Sequence, residues 1–130
     1  METKTIRQTV PFKALPHDVY EALMDAKKHA KFTGGKAVVS REIGGKFSTF
    51  DGYAEGVNLE LVPDKKIVQT WRAEDWPETH YSRVTFSLNK LQEGTCLTFT
   101  QSGVPEEQYG DVSQGWQDYY WAPMKEMLEK

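Results

Sequence analysis

Apolar and polar residues alternate along most of the first hundred positions, and the last stretch of the chain follows a different period. From position 114 to 130, large apolar residues recur three or four positions apart, which places them on one face of a helix. That stripe comprises Trp116, Tyr119, Tyr120, Pro123, Met124, Met127 and Leu128. The pattern predicts an amphipathic C-terminal helix with an aromatic face, and Pro123 within it predicts a bend.

The amino-terminal third predicts one strand followed by short helices. Ile6, Val10 and Phe12 share one parity, so residues 3–13 are expected to form a strand with one buried face. Pro16 then suits the first turn of a helix. A second short helix is expected over 27–32, because the glycines at 34–35 provide the left-handed conformation at which helices commonly end.

The middle of the chain consists of alternating segments separated by short turn signals. The predicted strands span 37–43, 46–50, 53–62, 67–74, 81–91 and 95–101. Because turns this short join antiparallel neighbours, the strands are expected to form a meander that the first strand completes. The prediction is a single α+β domain over residues 1–130. A curved antiparallel sheet of about seven strands wraps around the C-terminal helix, with one or two short helices after the first strand.

A ligand cavity is expected between the sheet and this helix, since bulky aromatics and flexible Met side chains seldom fill a concave surface completely. Strand parity and the helical stripe select the candidate lining. The ligand-binding candidates are Phe47, Tyr53, Glu55, Val57, Gln69, Trp71, Val84, Phe86, Phe99, Trp116, Tyr120 and Met124. The expected ligand is a small hydrophobic molecule.

Two polar residues fall on the inner parity of their strands, Glu55 and Gln69. An inward carboxylate must be paired, protonated or in contact with water in a cavity, because burying it alone costs several kcal/mol. Both residues would then anchor a ligand that apolar groups otherwise hold. The other interpretation is a bulge at Gly56 that resets the parity and turns Glu55 outward.

Composition excludes several classes of partner and site. The 16 basic and 19 acidic residues are spread along the chain and give a net charge of −3, which argues against nucleic acid. Cys96 is the only cysteine, so no intramolecular disulfide can form. No segment has the length and hydropathy of a membrane span, and the N-terminus is polar. A cytoplasmic protein without a membrane span is expected.

No catalytic, metal or cofactor motif stands out. His17, His29 and His80 lack ligand spacing and are expected at the surface, and neither a phosphate-binding loop nor a dinucleotide fingerprint is present. No cofactor and no metal are therefore expected. An enzyme remains a less favoured hypothesis, with Glu55 as general base and Tyr53 or Tyr120 as hydrogen-bond donor.

A set of short motifs, in order along nearly the whole chain, carries a family resemblance. These are Gly44-Gly45-Lys46-Phe47, Asp51-Gly52, Glu55-Gly56, Leu61-Val62-Pro63, Ile67-Val68, Trp71, Asp75-Trp76-Pro77-Glu78, Gly115-Trp116 and Tyr119-Tyr120. In their order and spacing the sequence resembles the C-terminal domain of the activator of heat-shock protein 90 ATPase. That family is a branch of the START and birch-pollen-allergen (SRPBCC) superfamily. The resemblance implies the helix-grip fold.

The resemblance implies two functions. Single-domain members of the superfamily are regarded as carriers of small hydrophobic molecules, whereas two-domain eukaryotic activators regulate a chaperone. The sequence carries no counterpart of the activators' N-terminal domain, so a contact with a heat-shock protein 90-type chaperone is expected only through the present domain. Such a contact could use the outer surface and the turn over 75–81, where Trp76 is expected either to pack against the sheet or to be offered to a partner. Ligand binding is the main hypothesis and chaperone regulation the second.

Overall fold

The computed structural model describes residues 1–129, which form a curved sheet with helices on its concave face. The strands are β1 Thr3–Phe12, β2 Val38–Val39, β3 Lys46–Thr49, β4 Ala54–Val62, β5 Lys66–Ala73, β6 Ser82–Leu91 and β7 Gly94–Pro105. The helices α1 Pro16–Met24 and α2 Ala26–Thr33 follow β1. The α+β architecture with two short helices after the first strand is confirmed.

Within residues 1–129 the seven strands form one antiparallel sheet in the order β1-β7-β6-β5-β4-β3-β2. Strands β2 to β7 make the predicted meander, and β1 returns to pair with β7. The inner parity of the central strands is as predicted, since Val84, Phe86 and Phe99 are at most 3% exposed. Phe86 lies directly opposite Phe99 across the β6–β7 ladder.

The parity predicted for β4 is wrong. Ala54, Gly56 and Asn58 are buried, whereas Glu55 and Val57 are partly exposed on the opposite face. A Cβ atom at position 56 would lie 1.9 Å from the carbonyl oxygen of Thr70, so the concave side has no room for a side chain there. Ala54 and Gly56 therefore occupy the inner face and Val57 points outward, whereas Leu61, after the register shift, packs against the core. The register shifts between Asn58 and Glu60, not at Gly56.

The edge strand β2 is shorter than predicted, because the chain after it forms a loop against Asn58. The Asn58 backbone N–H donates to Gly45, and its carbonyl accepts from Gly44 at 2.8 Å. Its side-chain amide donates to the carbonyls of Ser40 and Glu42 at 2.8 and 3.0 Å. Residues 40–45 thus lie over the concave end of β4 and not in a strand.

The C-terminal helix begins earlier than its apolar stripe predicts and changes geometry in the middle. A 3₁₀ turn, Glu106–Gln108, leads into α3, Tyr109–Trp116. A π turn, Gln117–Trp121, separates α3 from α4, Ala122–Leu128. Together these segments are the C-terminal helix. The N–H of Ala122 donates to Gln117, five residues back, so one extra residue is inserted directly before Pro123.

The inserted residue changes which side chains face the sheet. Trp116, Tyr120, Trp121 and Met124 are all buried, with Trp121 only 2% exposed. Tyr119, which the three-and-four spacing assigns to the buried stripe, is 59% exposed. The π turn therefore rotates Trp121 into the core and leaves Tyr119 beside solvent, which an uninterrupted α-helical period does not predict.

Candidate functional site

The helix and the sheet meet through a closely packed aromatic cluster. The Trp116 ring centroid lies 4.4 Å from both Phe99 and Tyr120 and 5.8 Å from Trp71. Trp121 packs against Phe99 at 5.4 Å. Such spacings are those of direct ring contact, so the aromatic face of the helix is filled by partners from β5 and β7.

Buried polar contacts fix the two helix tryptophans. The indole N–H of Trp116 donates to Gln101 Oε1 at 2.7 Å, and Gln101 in turn donates to Ser82 Oγ at 2.9 Å. The indole N–H of Trp121 donates to Gln8 Oε1 at 2.6 Å. These bonds join the C-terminal helix to strands β1, β6 and β7. Because both indole N–H groups have an acceptor in the sheet, these bonds favour one position of the helix relative to the sheet.

The enclosed cavity expected under the helix is not formed in the described part of the chain. The gap between helix and sheet has a volume of about 10 Å³. That is roughly the space of a single water molecule. The residues around it are Leu23, His29, Val39, Phe47, Thr49, Ile67, Gln69, Trp71, Phe86, Trp116 and Tyr120. The interior is packed because the rings fill the concave surface, so the expectation of an enclosed void is wrong.

An open pocket of about 360 Å³ lies where the C-terminal helix meets the edge of the sheet. Its walls come from the β3–β4 turn, β5, α3 and the π turn. The lining residues are Phe50, Tyr53, Trp71, Asp111, Val112, Gly115, Trp116, Tyr119 and Tyr120. This aromatic pocket is the candidate functional site, because it combines volume, solvent access and a largely apolar wall.

The predicted lining residues divide into four groups. Tyr53, Trp71, Trp116 and Tyr120 line the aromatic pocket. Phe47, Gln69 and Phe86 border the small interior gap together with three of these residues, Trp71, Trp116 and Tyr120. Val84, Phe99 and Met124 are core residues that line neither space. Glu55 and Val57 lie on the outer face of β4.

Neither predicted polar anchor reaches the pocket. Glu55 accepts a hydrogen bond from the Tyr81 hydroxyl at 2.6 Å on the outer face. Gln69 donates to Asn58 Oδ1 at 2.9 Å, so its amide is engaged within the sheet. The hypothetical catalytic group is not assembled either. Tyr53 and Tyr120 line the pocket, whereas Glu55 lies on the outer face of β4. Its hydrogen-bond donor there is Tyr81.

His29 is buried, contrary to the surface position expected for all three histidines. Its Nδ1 lies 3.1 Å from the carbonyl oxygen of Leu23 and its Nε2 lies 2.9 Å from the Tyr120 hydroxyl. A carbonyl can only accept, so Nδ1 carries the proton and Nε2 accepts from Tyr120. Burial lowers the pKa of His29 to about 4 and raises the pKa of Tyr120.

One carboxylate lines the pocket, and two more act on Tyr53 in its wall. Asp111 lines it, and the Glu74 N–H donates to the Tyr53 carbonyl at 2.7 Å, which holds the start of the β5–β6 turn beside Tyr53. The pKa of the Tyr53 phenol is raised, first by burial and then by the negative charges of Asp75, Glu74 and Asp111. The rim therefore has an acidic character.

Sequence reasoning missed Phe50, Asp111, Val112, Gly115 and Tyr119 as pocket residues. Phe50 lies in a turn with a positive φ of 51°, and no strand or helix period assigns a turn residue to a face. Asp111 and Val112 precede the predicted start of the helix. The Gly115-Trp116 and Tyr119-Tyr120 motifs lie in this region, but they did not predict which of their side chains face the pocket.

Trp76 packs against the sheet and is not offered to a partner, which decides between the two positions expected for it. Its side chain is 4% exposed and packs against Trp71, with ring centroids 5.3 Å apart, and against His80 at 5.8 Å. Tyr81, at the end of the same turn, is 42% exposed. Among the described residues, Tyr119 is the most exposed of the Phe, Trp and Tyr side chains.

Two kinds of site receive no support within residues 1–129. No group of three His, Cys, Asp or Glu side chains in that range comes together with the spacing of metal ligands. Of the helices found there, none has both the length and the hydropathy needed to cross a bilayer.

Comparison with known proteins gives a consistent assignment. A family model described as "Activator of Hsp90 ATPase homolog 1-like protein" matches residues 13–129. The chain is 35% identical over 117 residues to the "Activator of 90 kDa heat shock protein ATPase homolog" of Dictyostelium discoideum, covering 88% of the chain and 30% of that protein. It is 32% identical over 122 residues to the "Activator of 90 kDa heat shock protein ATPase homolog 1" of Homo sapiens, covering 94% of the chain and 36% of the human protein. The chain thus spans about a third of the length of these curated relatives.

Solved structures extend the match to whole chains. A crystal structure of an HSP90 activator from Plasmodium falciparum superposes with a TM-score of 0.92 at 27% identity, covering 96% of both chains. A protein from Chromobacterium violaceum superposes with a TM-score of 0.82 at 28% identity, covering 97% of both. The chain has the helix-grip fold of the SRPBCC superfamily, and it belongs to the family of activator of Hsp90 ATPase homolog 1-like proteins.

Proposed function

We propose that this chain binds a chaperone of the Hsp90 type and regulates its ATPase without catalysing a reaction of its own. The observation that supports this most directly is the similarity to the HSP90 activator from Plasmodium falciparum over 96% of both chains. The domain described here corresponds to nearly all of that chain. The longer curated relatives, named as activators, support the same partner class.

The rim of the aromatic pocket is the proposed contact surface. Tyr119 and Tyr53 are 59% and 38% exposed there, and tyrosine is enriched at protein interfaces because its ring gains contact area at a small cost in side-chain entropy. Glu55 supports a non-catalytic role, since it lies on the opposite face, hydrogen-bonded to Tyr81. A lone cysteine fits the reducing cytoplasm in which we place the protein.

Calorimetric titration of the chain into an Hsp90-type chaperone from the same organism tests the proposal. Saturable binding is expected, and Tyr119→Ser should weaken it by about tenfold or more, as for an aromatic residue at an interface centre. Tyr81→Ser is the matched control, because it removes a comparably exposed tyrosine from the outer face. Absence of binding by the unmodified chain contradicts the proposed partner, and equal weakening by both variants contradicts the proposed surface.

A second candidate function is the binding of a small apolar molecule in the aromatic pocket. The observation in its favour is volume: about 360 Å³ in the open pocket against about 10 Å³ under the helix. The larger value lies within the range of small-molecule sites, roughly 300–1,000 Å³.

Filling the pocket tests this second function. Gly115 lines it, and a Cβ there would approach only the Tyr119 ring, at 3.8 Å, so Gly115→Leu should fit without moving the backbone. Gly110→Leu, where a Cβ meets nothing within 4 Å, is the control on the same helix. Native mass spectrometry of purified protein should show a bound small molecule that Gly115→Leu loses and Gly110→Leu keeps. No bound mass in the unmodified protein, or equal retention in both variants, argues against the pocket.

A further inference from the structure

We propose that the aromatic pocket selects a small organic cation, a substituted ammonium with apolar groups, over neutral or anionic ligands of the same size. This inference rests on the second candidate function and names its ligand class. It departs from the fatty-acid type of ligand that a hydrophobic carrier would suggest. Three features of the pocket support it: the orientation of its rings, the sign of its charges and its size.

The rings form walls that face in different directions. Phe50 and Tyr119 meet at 76° with centroids 5.9 Å apart, and Tyr53 meets Trp71 at 70° and 6.4 Å. Because the ring planes within each pair are steeply inclined, the four rings of the pocket wall do not all turn their edges in the same direction. The face of an aromatic ring carries a negative quadrupole that attracts a cation within about 6 Å of the centroid. Several such faces around one pocket favour a positively charged group.

The charges around the pocket have one sign. Asp111 is part of the lining, and Glu74 and Asp75 are close enough for their charges, after burial, to raise the pKa of the Tyr53 phenol. Among the described residues that line the pocket, none is basic. A carboxylate ligand would be repelled here, whereas an ammonium would gain from both the rings and the carboxylates.

The arginine next to Trp71 in β5 does not line the pocket. Arg72 donates from Nε to the carbonyl of Pro77 at 2.8 Å, and from Nη2 to the carbonyl of Trp76 and, at 3.5 Å, to that of Glu74. Its guanidinium is therefore held by backbone carbonyls of the β5–β6 turn. Within residues 1–129, the pocket lining itself contains one carboxylate, Asp111, and no basic side chain.

The size of the pocket suits an occupant larger than a bare metal or ammonium ion. A volume of about 360 Å³ accommodates a charged head together with an aromatic or branched alkyl group. Because the pocket is open, its occupant is expected to keep part of its surface in water. A free small molecule with a cationic head and an apolar body is the occupant that satisfies shape and charge together.

Three probes of similar size test the selectivity: benzyltrimethylammonium, the neutral alcohol of the same shape, 2-methyl-1-phenylpropan-2-ol, and 3-phenylpropionate. Binding is followed by intrinsic tryptophan fluorescence, since Trp71 and Trp116 are in the pocket wall. The cation should bind about tenfold or more tightly than the alcohol, and the anion most weakly, as expected for a ring-face and carboxylate site. Higher salt should weaken only the binding of the cation.

Charge-removing variants locate the effect. Asp111→Asn should weaken the binding of the cation about threefold to tenfold and leave the affinity for the alcohol unchanged. Asp118→Asn is the control, because it removes an exposed carboxylate that accepts from Gln114 outside the pocket lining. It should change neither the affinity for the cation nor the affinity for the alcohol. Equal affinity for all three probes, or equal weakening by both variants, would overturn the cation inference while the pocket function stands. Failure of every probe to bind would reject both.

Discussion

Protonation of His29 gives the most quantitative prediction about this fold. The imidazole is 5% exposed, and its pKa is lowered from the ordinary 6.5 to about 4, because burial disfavours its charged form. The unfolded chain, in which the ordinary pKa applies, therefore binds the proton more readily than the folded one. Stability from the neutral imidazole is fully present above about pH 6.5, and it is lost as pH falls toward about 4.

The size of this loss follows from the two pKa values. A separation of about 2.5 units corresponds to about 3 kcal/mol over the whole window, at about 1.36 kcal/mol per unit. Between pH 7 and pH 5 the unfolded state gains most of its proton while the folded state gains little, so about 2 kcal/mol of the free energy of unfolding should be lost. Protonation of His29 at Nε2 also removes the acceptor for the Tyr120 hydroxyl, so that hydrogen bond is lost.

Urea unfolding, followed by tryptophan fluorescence at pH 7, 6 and 5, measures the effect against a non-titrating variant. His29→Gln retains one donor and one acceptor, and the carboxylates that titrate elsewhere contribute equally to both proteins. The stability advantage of the unmodified protein should shrink by about 2 kcal/mol between pH 7 and pH 5. His17→Gln, which replaces an exposed imidazole, is the control. Its free energy of unfolding should decrease between pH 7 and pH 5 as that of the unmodified protein does. A pH-independent difference between the unmodified protein and His29→Gln would refute the reasoning.

Two further predictions concern the packing of the sheet and helix. Gly56→Ala should lower the free energy of unfolding by about 3 kcal/mol, because its Cβ would lie 1.9 Å from the Thr70 carbonyl oxygen. Gly110→Ala, in open space on α3, should instead raise it by about 0.5 kcal/mol, and urea unfolding of both variants distinguishes the two outcomes. Trp116→Phe should cost about 2 kcal/mol, since Gln101 Oε1 loses its buried donor. A cost as small as that of a surface substitution would show that the Trp116–Gln101 bond is not made.

Local periodicity predicted those strands whose large residues face the core. On β6 and β7 the alternation of Val84, Phe86 and Phe99 with polar neighbours was sufficient, because both strands are paired on either side and pack one face against the core. On β4 the same rule failed. The concave face there accommodates only small residues, so the apolar Val57 is outside and Gly56 is inside.

The helix and the site depended on features that are not local. The π turn adds one residue to the helical period, so Trp121 lies on the buried face in the place predicted for Tyr119. The position of His29 depends on a partner, Tyr120, that is 91 residues away in the chain. The aromatic composition indicated the region in which the open pocket lies. It could not indicate that the rings close the interior and leave the free volume outside it, beside the β3–β4 turn.

The direct test of the account is the steady-state ATPase rate of an Hsp90-type chaperone from the same organism, measured at increasing concentrations of this chain. We predict a saturable change in rate that Tyr119→Ser reduces and Tyr81→Ser, on the outer face, leaves intact. A rate that stays constant up to concentrations well above that of the chaperone would contradict the account.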